Sequence, residues 1–143
     1  MASSTRMRTR ATLFVDEAGN ITLFDFDDCV YGWFIYDIAM ALFYAAPFDS
    51  SESPNFAREF MPHFMRGYRR ENQLDNAWLQ ELPYFLKLRE IELYAIIHRS
   101  FDVSHLDDPW VESYMKGRKE RIENDVPFID LDFESLSSHL TSA

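Results

Sequence analysis

Cysteine and glycine are scarce in this sequence, and each scarcity excludes a class of protein. The 143 residues include one cysteine and four glycines. The single cysteine, Cys29, excludes an internal disulfide framework and a multi-cysteine zinc site, which favours a reducing compartment, the cytoplasm. Four glycines are too few for a glycine-rich loop that cradles phosphates, so we expect no such loop in these residues.

Basic residues and long apolar runs are scarce as well. The chain has 14 Lys and Arg against 24 Asp and Glu, a net charge of −10. Because nucleic-acid binding needs a basic surface, we expect no nucleic-acid partner. The longest apolar run, residues 32–48, is interrupted by Asp37 and falls short of the roughly 18 residues that cross a bilayer. We therefore expect no membrane partner, and small molecules or proteins are the predicted partners.

The hydrophobic and aromatic content is sufficient for one compact domain, at 47% and 16% of residues. Residues 12–15 and 21–26 are two β-rich runs, and the Gly19-Asn20 pair between them suits the positive φ of a hairpin turn. From Gly32 the apolar residues recur with helical spacing until Pro47, which predicts a deeply buried helix.

Three more helices are predicted further along the chain. One begins at Ser53-Pro54, a second at Asp75 and continues to about Phe101, and a third covers residues 110–124 as a mostly solvated helix. Pro62 and Pro83 fall inside the first two patterns and predict a kink or a break. Residues 126–133 alternate like an extended segment, and residues 134–143 form a polar tail.

An acidic turn follows the second β-rich run. In Phe24-Asp25-Phe26-Asp27-Asp28, the alternation of a strand sends Asp25 and Asp27 to one face and the two phenylalanines to the other. Carboxylate pairs of this kind suit a hard divalent cation such as Mg²⁺ bound to a nucleotide. An ordinary solvated acidic turn explains the same spacing, and spacing alone favours that alternative.

The order of hairpin, acidic turn and apolar helix with Tyr36-Asp37-Ile38-Ala39 resembles the aminoglycoside phosphotransferase, choline kinase and type II homoserine kinase family. The resemblance implies an α+β, mostly α fold: an N-terminal hairpin followed by a helical bundle, as in the C-terminal lobe of protein-kinase-like enzymes. It implies residues 12–133 as that lobe, residues 1–11 as a segment outside the family, and residues 134–143 as the tail.

The same resemblance implies roles for the acidic residues. Asp25 would ligate the Mg²⁺ that bridges the phosphates of ATP, and Asp27 and Asp28 would be secondary ligands or substrate contacts. Asp37 would be structural and bond to backbone near the active loop. The implied activity is ATP-dependent phosphorylation of a hydroxyl on a small-molecule alcohol or amino alcohol.

The family's catalytic His-Gly-Asp is missing before the hairpin, where Thr5-Arg6-Met7 stands instead. No carboxylate precedes Asp16 that could accept the proton of the substrate hydroxyl. We therefore predict a truncated phosphotransferase that is inactive alone and self-associates through exposed apolar surface. The alternative is a non-enzymatic helical interaction module that self-associates.

Three other groups of residues have ordinary structural explanations. His63 and His98 have no metal-ligand spacing around them, and the aromatic stripe of the helices is more often core than a substrate pocket. Two basic clusters could meet an anion but more often form solvated helix faces: Arg66, Arg69 and Arg70, and Lys116, Arg118, Lys119 and Arg121.

Overall fold

A β-hairpin lies in the first of two compact units, residues 1–32 and 33–143. The computed structural model describes residues 13–24 and 31–140. Strands β1 (Leu13–Val15) and β2 (Ile21–Leu23) pair antiparallel, with Phe14 opposite Thr22. Asp16 closes the turn because its Oδ1 accepts hydrogen bonds from the Ala18 and Asn20 N–H groups at 2.9 and 2.8 Å. Gly19 has φ +84°, so the predicted hairpin and its positive-φ turn are confirmed.

The second unit is helical. Its elements are α1 (Phe34–Ala45), α2 (Ser53–Tyr68), a 3₁₀ helix (Asn76–Glu81), α3 (Leu82–Ser100), α4 (Pro109–Met115), α5 (Arg118–Glu123) and α6 (Phe133–Leu140). Helices α1 and α3 pack together, and the 3₁₀ helix contacts α1, α3 and α6. The α+β, mostly α fold class is thus confirmed. Within the described residues, no helix is both long and apolar enough to span a bilayer.

Helix α1 supplies one wall of the core. The predicted spacing is confirmed, since Ile35, Ile38, Ala39, Leu42 and Phe43 are all fully buried. They pack with side chains of α2, α3 and α4 in one cluster. The predicted burial of the whole helix is wrong, because Phe34 and Tyr44 on its other side remain 56% and 45% exposed.

Of the two interior prolines, Pro83 lies at the predicted break and Pro62 does not break its helix. Helix α2 continues through Pro62 without a break, and Met61 and Met65 beside that proline are buried. Tertiary packing therefore outweighs the one backbone hydrogen bond that a proline removes. Pro83 lies in the first turn of α3, where a missing N–H costs nothing. The predicted helix from Asp75 is consequently a capped 3₁₀ helix followed by α3.

The C-terminal part also differs from expectation. The predicted helix at 110–124 is two helices, since Gly117 has φ +63° between α4 and α5. The predicted solvation is confirmed, since eight of these fifteen residues are exposed and three are buried. Tyr114 and Arg118 are among the buried ones, at 0% and 3% exposure. Residues 126–132 contain no strand, and α6 begins at Phe133 and includes residues 134–140 of the predicted tail. The predicted boundaries at residues 11 and 133 stay predictions.

Candidate functional site

The hairpin leads directly to the predicted metal ligands. Strand β2 ends at Leu23, Phe24 follows with its side chain 49% exposed, and Asp25 is next. Asp25, Asp27, Asp28 and Cys29 lie outside the described residues. Within residues 13–24 and 31–140, no three His, Cys, Asp or Glu side chains are grouped so as to hold a metal ion. The assignment of these residues as metal ligands is therefore supported by the sequence alone.

Asp37 is described, and it lies in the first turn of α1. A carboxylate there is stabilised by the positive end of the helix dipole. The side chain is exposed. Burial, followed by the negative charge of Asp37, raises the pKa of the Tyr68 hydroxyl on α2. Asp37 thus lies at the side of α1 that faces the end of α2, with its carboxylate open to solvent.

A polar cluster between α1 and α3 was not predicted from the sequence. The Tyr36 hydroxyl donates a hydrogen bond to Oε2 of Glu92 at 2.5 Å. Arg89 Nη1 lies 3.5 Å from the same oxygen, and Arg89 Nη2 donates to the hydroxyl of Tyr44. Residues 36 and 92 are 56 positions apart, so no local pattern could have joined them.

The α1–α3 polar cluster, Tyr36, Tyr44, Arg89 and Glu92, can both donate and accept hydrogen bonds at its edge. Burial, and then the bond to Glu92, raise the pKa of Tyr36 to about 12, so its hydroxyl stays protonated and donates at neutral pH. The Glu92 side chain is 40% exposed and has a free edge toward solvent. An exposed carboxylate beside tyrosine hydroxyls is a surface that suits a cationic or hydroxylated small molecule.

A second polar group is fully buried and structural. Glu90, at 0% exposure, accepts hydrogen bonds from Arg118 Nη1 at 2.6 Å and from Lys87 Nζ at 2.7 Å. The Tyr114 hydroxyl donates to the Glu90 carbonyl, and the Arg118 guanidinium lies 4.5 Å from the Tyr114 ring centre. Arg118 therefore ties α3 to α5 and cannot meet a ligand, unlike the exposed basic cluster considered from the sequence.

The aromatic stripe of α2 forms a ladder rather than a closed pocket. The rings of Phe56, Phe60, Phe64 and Tyr68 follow one another at centre distances of 5.5, 5.4 and 6.2 Å. All four are half-buried against the core, which agrees with the predicted core role. Glu59 and His63 border a shallow groove of about 290 Å³ along the three phenylalanines.

Comparison with known families decides the class of the chain. The model of the phosphotransferase enzyme family matches residues 12–94, more than half of the chain. The chain belongs to the phosphotransferase enzyme family. The matched range contains the hairpin, the acidic turn, Asp37 and the α1–α3 polar cluster, whereas Arg118 lies outside it.

Two amicoumacin kinases are similar to this chain. The amicoumacin kinase of Bacillus subtilis (strain 168) is 41% identical over 123 residues, which are 82% of this chain and 36% of that kinase. A solved amicoumacin kinase in complex with AMP-PNP, Ca²⁺ and Ami superposes with a TM-score of 0.70 at 39% identity. The superposed residues make up 87% of this chain and 37% of the solved kinase chain. The chain thus spans just over a third of these relatives, and this coverage fits a C-terminal lobe.

Proposed function

We propose that this chain is the metal-binding and acceptor-facing part of an ATP-dependent phosphotransferase that phosphorylates a hydroxyl group of a small molecule. The observation that carries the proposal is the family match over residues 12–94, which includes the acidic turn. The relatives are kinases by name, and one was solved with a nucleotide analogue and a divalent cation. The same match favours an enzyme over the alternative of a non-enzymatic interaction module.

Asp25 and Asp27 are the proposed metal ligands. Their carboxylates are hard oxygen donors, which fit Mg²⁺ bound to the phosphates of ATP. The ion, when bound, would neutralise charge on the phosphoryl group being transferred. Asp28 is proposed as a further ligand or substrate contact, and Asp37 as a positioning residue that holds backbone near the active loop.

The proposed acceptor is an alcohol or amino alcohol, and an antibiotic of the amicoumacin type is the first compound to test, given the relatives. A chain with net charge −10 attracts cationic acceptors. The exposed edge of Glu92 provides a local carboxylate for an ammonium group.

We further propose that these 143 residues do not transfer phosphate by themselves. No carboxylate precedes Asp16, so a base for the acceptor hydroxyl and a loop for the nucleotide must come from the rest of the fold. Self-association and a cytoplasmic location stay predictions; gel filtration tests the first of these.

Calorimetry tests the metal assignment. Mg²⁺ with AMP-PNP is titrated into a chimera in which this chain replaces the matched segment of the Bacillus subtilis amicoumacin kinase. The same titration is made with its Asp25→Asn and Asp27→Asn variants and with the control Asp130→Asn, whose carboxylate is exposed and distant in sequence. We expect binding heat for the unsubstituted chimera and the control, and weaker or no binding for the other two variants. Absence of heat with the unsubstituted chimera, or equal heat with Asp25→Asn, would overturn the metal assignment.

A further inference from the structure

Three aromatic rings stack between α4 and α1, with an arginine at each end. The rings of Tyr44, Trp110 and Tyr114 follow one another at centre distances of 6.3 and 5.9 Å, with interplanar angles of 19° and 8°. The Arg118 guanidinium lies 4.5 Å from the ring centre of Tyr114, and the Arg89 guanidinium lies 5.4 Å from that of Tyr44. The ring stack, Tyr44, Trp110 and Tyr114, therefore joins the buried Arg118 to the α1–α3 polar cluster.

The inner part of the ring stack is firmly held. Tyr114 is fully buried, and the Trp110 N–H donates to the capping oxygen Oδ1 of Asp108 at 2.9 Å. The ring of Phe48 meets the half-buried Trp110 ring edge-on at a centre distance of 5.2 Å. Because a packed aromatic side chain on a capped helix has few rotamers open to it, Trp110 presents a rigid surface to Tyr44.

The outer end of the ring stack holds Arg89 beside a carboxylate. Tyr44 is 45% exposed, and its hydroxyl accepts a hydrogen bond from Arg89 Nη2. Arg89 Nη1 lies 3.5 Å from Oε2 of Glu92, a weak contact, and no described residue accepts from the buried Nε. The short bond to Glu92, at 2.5 Å, comes from the neutral hydroxyl of Tyr36. Arg89 therefore leaves the charge of Glu92 only partly compensated.

Loss of the Tyr44 contact would free Arg89 to pair fully with Glu92. The two residues are three positions apart on α3, a spacing at which an arginine and a carboxylate can form a bidentate pair. That pair would occupy the carboxylate edge that the proposed function assigns to an acceptor's ammonium group.

We propose that Trp110 is a positioning residue for acceptor binding: it holds the Tyr44 ring, and Tyr44 keeps Arg89 from neutralising Glu92. This inference rests on the proposed function. Trp110 lies outside residues 12–94, so the match to the family model does not include it. Its role follows from the ring contacts alone.

Steady-state kinetics of the chimeric kinase test the inference. Trp110→Leu removes the middle ring, and Tyr44→Phe removes only the hydroxyl that Arg89 contacts. Both should raise the KM for amicoumacin about fivefold, the worth of one exposed ion pair, with the loss confined to that KM and absent from kcat and the KM for ATP. Trp110→Phe keeps a ring for stacking and should restore most of the wild-type KM. The control Trp78→Leu removes a tryptophan outside the ring stack and should change neither KM.

Arg89→Met separates positioning from a general loss of packing. Without Arg89, nothing in the α1–α3 polar cluster competes for Glu92, so Trp110→Leu and Tyr44→Phe should cause no further rise in the KM for amicoumacin. Looser packing would raise that KM in both backgrounds and would overturn the inference. A wild-type KM for Tyr44→Phe in an active chimera would overturn it as well.

A crystal structure of the Trp110→Leu chain tests the same inference without catalysis. We expect Arg89 to contact both carboxylate oxygens of Glu92 and to have left the Tyr44 hydroxyl. An unchanged contact between Arg89 and Tyr44 would overturn the inference. A chimera that transfers no phosphate would count against the proposed function, whereas the crystal structure would still decide whether Trp110 positions Arg89.

Discussion

Neutralising Glu90 should strongly destabilise the helical unit. Glu90 is fully buried, and its two oxygens accept from Arg118 at 2.6 Å and from Lys87 at 2.7 Å. In Glu90→Gln the side chain keeps its size but loses its charge, which leaves the 3% exposed Arg118 as a buried cation without a counter-ion. Breaking a buried pair in this way costs about 3–5 kcal/mol, a fifth or more of the roughly 5–15 kcal/mol that stabilises a typical domain.

Urea unfolding followed by circular dichroism measures this loss. The control is Glu123→Gln, whose partner Lys119 lies 3.8 Å away in an ion pair that is more than 60% exposed on both sides. That control should change the free energy of unfolding by less than about 1 kcal/mol. When Glu90→Leu and Arg118→Met are combined, the loss in free energy of unfolding should be much smaller than the sum of the losses from the two single substitutions. A Glu90→Gln variant within about 1 kcal/mol of wild type would refute the reasoning.

Three further predictions follow from local geometry. Gly117→Ala should lower the free energy of unfolding by about 1 kcal/mol, because φ at Gly117 is +63°. Gly67→Ala inside α2 should leave that free energy unchanged or raise it. Chemical unfolding of the two variants measures both changes. Asp108→Ala should cost about 1 kcal/mol because Asp108 Oδ1 accepts from two N–H groups of α4, and the exposed Asp107→Ala serves as control. The raised pKa of Tyr36 means that its stabilising contribution is complete below pH 10 and is lost as pH rises toward about 12. Tyr36→Phe should therefore make unfolding less pH-dependent across that interval, and an unchanged profile would contradict this.

Local patterns account for what could be predicted of the fold. The spacing of Ile35, Ile38 and Leu42 defines α1, and Asp75 marks a helix start that the structure confirms. The break expected at Pro62 did not occur, because packing around the α2 methionines is a tertiary effect that no local pattern contains.

Long-range polar contacts could not be derived in the same way. Glu90 pairs with Arg118, which is 28 positions away. The sequence did contain one indication that Glu90 is buried. Glu90 lies on the same helical face as the apolar residues Leu86, Leu93 and Ile97. For the site itself, the family could be predicted from the acidic turn and the α1 motif, whereas the contacts of Glu92 required the folded chain.

The most direct test of the proposed function is phosphate transfer by a full-length chimera. In the amicoumacin kinase of Bacillus subtilis, the matched segment is replaced by this chain, and product is detected by mass spectrometry after incubation with ATP, Mg²⁺ and amicoumacin. We predict phosphorylated amicoumacin from the chimera and from its Asp130→Asn variant, and none from Asp25→Asn. A folded chimera that transfers no phosphate, or one that transfers it equally well with Asp25→Asn, would contradict the proposal.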